Sequence, residues 1–160
     1  MACRACHKNN DEVSDDGTWF LRNNPGYWGT PNPKTLVLGF SKGANQIKAA
    51  TEQDFNAVAF VGWRDRLVDS LTGVGVDLEG QTIDEVLSAS SKNIGSASLV
   101  RCGLSLRKPS GEMVSSGSIM PDAVKADLPL NAMRTCIATH LDPLPESVES
   151  VVLLGTTDDY

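Results

Sequence analysis

The sequence predicts an α/β protein: a three-layer α/β/α domain around a central parallel four-stranded sheet, the last strand of which is expected to be missing. Three observations predict it. Residues 35–38, Thr-Leu-Val-Leu, are a short apolar run closed by Gly39, the form of a strand buried on both faces. Residues 150–155, Ser-Val-Val-Leu-Leu-Gly, repeat that form near the other end of the chain. Between them, helical segments alternate with a further strand-like run at residues 97–102, and strands joined by helical crossovers lie parallel.

Taken in order, residues 1–34 read as an irregular N-terminal arm and residues 35–160 as the α/β domain. The arm is acidic and polar over residues 9–17 and dense in turn signals at residues 23–26 and 29–33. Trp19, Phe20, Tyr27 and Trp28 are expected to pin it to the domain, with stacking on a base as the alternative. After the first strand, residues 44–50 are polar, alanine-rich and free of glycine and proline, which permits a helix. A strand, a glycine loop and a helix start place the backbone N–H groups of residues 41–44 at the carboxyl end of a strand, where open α/β sheets hold ligands. Trp63, Leu67, Val68 and Leu71 fall on one helical face, and Gly73-Val74-Gly75 ends that helix. Residues 83–89 suit a short helix, with Thr82 or Gln81 near its start. Residues 103–121 read as a long loop, functional or disordered. Residues 121–141 are broadly helical with a break near Pro129, and Ala132, Met133, Cys136 and His140 share a face. With five residues left after Gly155, the third strand is expected at a sheet edge or beside an exposed groove, as in a chain that lacks the end of its domain.

Composition bounds the function. The chain has 160 residues, with 41% hydrophobic and 21% charged residues, ordinary for one globular domain. A net charge of −6 argues against binding nucleic acid through bulk positive charge, but it leaves room for a local basic cleft, for which Arg101, Arg107 and Lys108 are the candidates. No apolar run approaches the roughly 18 residues of a membrane span, and the N-terminus has no apolar signal core. A cytoplasmic monomer with no membrane contact is therefore expected. In that compartment the four cysteines, Cys3, Cys6, Cys102 and Cys136, are expected to stay reduced and not to pair in disulfides. A Cys-x-x-Cys pair with two distant cysteines makes a four-ligand set for zinc or an iron–sulfur cluster. Cys3 to His7 also matches the c-type haem attachment pattern, without the export signal that haem attachment asks for. His140, four residues after Cys136, could reach a nearby metal; the plainer reading is a helix-end residue.

The order of these signals resembles the uracil-DNA glycosylase superfamily, most of all its iron–sulfur (family 4) branch. The residues that carry the likeness are Cys3/Cys6, Leu38-Gly39-Phe40-Ser41-Lys42-Gly43, Phe60-Val61-Gly62 with its following helix, Val100-Arg101-Cys102, Cys136, and Val151 to Gly155. The resemblance implies the parallel-sheet fold and hydrolysis of the N-glycosidic bond of a uracil flipped out of DNA, single-stranded or uracil-containing. It implies a 4Fe-4S cluster on Cys3, Cys6, Cys102 and Cys136, with zinc as the alternative. Phe40 and Ser41 would stand at the catalytic loop positions. Gly39, Gly43, Phe60 and Ser98 would contact the base, and Arg101, Arg107 and Lys108 the DNA backbone. The sequence departs from the family where Phe40 replaces a glutamate, Lys42 a proline and Ser98 a base-reading asparagine, and no His-Pro-Ser loop is present. Those departures favour an alternative, a member that binds nucleic acid or a nucleotide without excising a base.

Overall fold

The structure, a computed structural model, describes residues 3–8 and 10–155; residues 156–160 of the expected α/β domain lie outside it. In chain order the elements begin with β1 (Glu12–Ser14), β2 (Trp19–Arg22), β3 (Trp28–Gly29) and β4 (Thr35–Gly39). Four helices follow: α1 (Ala44–Glu52), α2 (Phe55–Val58), α3 (Arg64–Gly73) and α4 (Ile83–Val86). Then come β5 (Ile94–Ser98), β6 (Gly103–Arg107) and β7 (Met113–Ser115), a 3-10 turn (Gly117–Ile119), α5 (Met120–Ala123), α6 (Asp127–His140) and β8 (Ser150–Leu153).

Two four-stranded sheets take the place of the expected single central sheet, so the α/β/α sandwich is overturned. One sheet is antiparallel throughout, in the order β1-β2-β6-β7. The other runs β3-β5-β4-β8; only its β5-β4-β8 part is parallel, and β3 pairs antiparallel with β5. The difference originates in two stretches expected to be irregular. The arm contributes β2, whose Trp19 and Leu21 are buried while Arg22 is exposed, the alternation of a half-buried strand. Residues 103–121 contribute the β6–β7 hairpin, and Leu21 lies opposite Leu104 across the new pairing.

The run at residues 97–102 is the hinge between the sheets rather than one strand. β5 ends at Ser98, after which the N–H groups of Leu99 and Val100 donate to the carbonyls of Gly39 and Phe40. The chain then enters the other sheet at Gly103. β4 is central and holds Leu36 and Val37 buried. β8 is an edge strand with Val151 and Leu153 exposed.

Each sheet has its own core. Trp19, Leu21, Phe40, Val100, Leu104 and Met133 form one, and Trp28, Val37, Leu67, Leu71, Val86 and Ile94 are central to the other. In α3, Leu67 and Leu71 are buried one turn apart, as the periodicity predicts. Thr82 and Glu85 close a capping box on α4. α6 buries Ala132, Met133 and Cys136, and its break from α5 falls before Asp127. Pro129 sits in its first turn, where a missing N–H costs little. Among the described residues no helix is long and apolar enough to cross a membrane.

Candidate metal centre

The four cysteines arrive from three separate segments and line one small cavity, together with His7, Arg101 and His140. Local structure explains each placement. The carbonyl of Arg4 accepts from the N–H groups of His7 and Lys8, both at 3.1 Å, which winds the arm into a single helical turn. Residues three and four apart then share a side, so Cys3, Cys6 and His7 face together. Cys136 and His140 do the same on α6. Cys102 is fixed by its neighbours: the N–H of Gly103 donates to Asn24 Oδ1 at 2.6 Å, and that of Gly26 to the Arg101 carbonyl at 3.0 Å.

The electrostatics of the cavity are those of acids close together among buried donors. Burial raises the thiols of Cys6 and Cys136 and pushes Cys102 up to about 11; the neighbouring sulfurs add to each rise. Two cations stand beside them. Lys42 is 2% exposed, and its Nζ donates to the Arg101 carbonyl. Burial lowers it to about 8, while Cys102 and Cys136 act to hold its proton. The Arg101 guanidinium lies over the Tyr27 ring, 5.1 Å from its centroid. Among the described residues neither cation pairs with a carboxylate.

Several polar atoms around the cavity lack partners. Both ring nitrogens of His7, Nε of Arg101 and Nδ2 of Asn24 are buried without a hydrogen bond. An unmet buried donor costs about 1–3 kcal/mol, more when charged. Thiolate sulfurs bound to a metal would accept from such donors, and a centre of four thiolates with zinc or a 4Fe-4S core leaves a net charge of about minus two, which Lys42 and Arg101 would balance. The donor set therefore fits such a centre. Among the described residues no three His, Cys, Asp or Glu side chains are gathered tightly enough to hold an ion as they stand.

The loop expected to hold a ligand, residues 39–43, has Lys42 within it. Gly39 and Ser98 are in register on β4 and β5, and a Cβ at Gly39 would stand 3.8 Å from Ser98 Oγ. Gly43 caps α1, and a Cβ there would be 3.8 Å from Ser116. A Cβ on Gly62 would be 3.6 Å from Asn45 Nδ2, which brings the Phe60 segment towards the same end. Phe60 itself adopts a left-handed φ of 50° and is half-buried, its ring 6.3 Å from that of Trp63. Gly39, Gly43 and Ser98 thus gather at the carboxyl ends of the parallel strands. Phe40 is instead a core residue, and Ser41 Oγ is buried without a partner.

The three basic candidates part company. Arg101 faces the cysteine cavity, while Arg107, at the end of β6, lies 4.6 Å over the Phe20 ring and Lys108 pairs with Glu112 at 3.8 Å. Sequence reasoning missed Lys42, Asn24 and the burial of His7. The position of His7 directly after Cys6 was the one available signal; nothing local marks a buried lysine in a glycine loop. No protein-family model matches the chain, no curated protein matches it, and no solved structure matches it.

Proposed function

We propose that this chain is a nucleic-acid- or nucleotide-binding domain of the uracil-DNA-glycosylase kind, with a structural metal centre held by Cys3, Cys6, Cys102 and Cys136. The centre would be a 4Fe-4S cluster, with zinc as the alternative. The observation that carries it is the convergence of four cysteines from three segments on one cavity, with Lys42 and Arg101 beside them and unmet donors around them. The two-sheet architecture departs from the family's central sheet, so the proposal rests on the centre and on the ends of β4 and β5. When bound, the metal would tie the N-terminal turn to the hinge and to α6. Gly39, Gly43 and Ser98 would then offer backbone and hydroxyl hydrogen bonds to a base edge.

Binding without excision is favoured by the loop itself. Hydrolysis asks for a general base within hydrogen-bond reach of the attacking water. Residues 39–43 carry no carboxylate, and the Ser41 hydroxyl is turned inward. The test is an excision assay beside a binding assay, using single- and double-stranded oligonucleotides that contain uracil. Binding that weakens with salt, in the absence of base release, supports the proposal. Base release would return the chain to the excising class, and no binding with either strand form would refute the nucleic-acid reading.

A further inference from the structure

The position of Lys42 joins the two halves of the site. It is the middle of the glycine loop, where a side chain would be expected to meet ligand or solvent, yet it is buried and its ammonium reaches back to the carbonyl of Arg101, the residue before Cys102. The backbone repeats the link. Gly39 and Phe40 accept from Leu99 and Val100, so residues 39–42 are fastened step by step to residues 99–101. A buried ammonium without a counter-charge is strongly destabilising, and among the described residues no carboxylate pairs with this one. The ionisable groups that face it are Cys102, Cys136 and Arg101, with the Trp28 ring centroid at 5.5 Å.

We infer that Lys42 is a positioning residue that couples the metal centre to the ligand loop: as counter-ion of the sulfur centre it holds residues 39–43 in their binding shape, so loading the centre orders the loop. The inference rests on the metal reading above. A loaded centre presents a fixed negative charge to the ammonium; a stripped one does not, and the lysine then gains by swinging out to water, taking the loop with it. The same neutralisation makes the centre sensitive to the lysine, because a nearby charge shifts the electronic levels of metal–thiolate bonds.

The experiment uses the full chain, as purified with its metal and after chelation, in wild type, Lys42→Met and Lys42→Arg. Amide hydrogen exchange is read over residues 39–46, with metal content and the sulfur-to-metal absorption band measured on each sample. In wild type, stripping the metal should speed loop exchange roughly tenfold, the ordinary scale of coupling between two sites. In Lys42→Met the loop should exchange fast with the metal present, show no further response to chelation, and have a displaced absorption band. Lys42→Arg should restore slow exchange and metal dependence. Metal-loaded wild type whose loop ignores chelation, or Lys42→Met that keeps the wild-type response, would overturn the coupling and leave the metal reading intact. Wild type that binds no metal would overturn both.

Discussion

Asn24 helps to join the arm to the hinge by accepting from the N–H of Gly103, beside the bond from the Gly26 N–H to the Arg101 carbonyl. Asn24→Ala leaves that buried N–H unmet and should cost about 1–3 kcal/mol, read by denaturant unfolding. Cys102 and Cys136 are the buried pair of the four cysteines. Serine at either position should abolish metal retention, whereas Ser110→Ala, at an exposed site, should keep the wild-type metal content and serves as the control. That the cysteines come together was legible in the sequence, because a Cys-x-x-Cys pair with two distant cysteines is the set that a four-ligand centre asks for, and the four do line one cavity. Lys42 was not legible, because burial of a loop lysine depends on where residues 101 and 102 fold back, and no local pattern encodes that.

Among the elements, α3 and α4 followed their patterns closely, since an amphipathic stripe and a capping box are local. Leu71 is completely buried in the second core, and Leu71→Ala should cost about 2–5 kcal/mol through the cavity it leaves. At α4, hydrogen bonds from the Thr82 backbone N–H and then its hydroxyl hold Glu85 below its ordinary value. A depressed carboxylate contributes stability above its unfolded pKa of about 4.3 and loses it as pH falls through the lower folded value. The stability gap between wild type and Glu85→Ala should therefore narrow on acidification below that range, measured by urea midpoints across pH. On β5, Gly95 packs where a Cβ would run into Tyr27 Oη and lie 3.0 Å from Pro33 Cγ, so Gly95→Ala should separate β3 from the sheet and lower the melting temperature. The β-strands were harder to read than the helices. The short run Trp19-Phe20-Leu21-Arg22 alternates correctly, but its partner lies more than eighty residues away, and the run 97–102 serves two sheets rather than one.

At the scale of the whole molecule, β4 and β8 were visible as apolar runs, whereas β5 (Ile94–Ser98) overlaps the expected run at residues 97–102 only at its last two residues, and the second sheet was hidden because turn-rich segments build it. The cysteine centre stands where these two sheets, the N-terminal turn and α6 meet. On the proposal, a metal there would be a cross-link among distant segments, so its removal should destabilise the entire fold, not one element. Chelation should lower the melting temperature of wild type and have no effect on Cys102→Ser. The most direct test is metal analysis with an absorption spectrum on wild-type protein purified without air. About one centre per chain is predicted, either a brown 4Fe-4S protein or a colourless one with zinc, and it should be lost in Cys102→Ser. A well-folded wild-type protein with four freely titrating thiols and no metal would contradict the proposal.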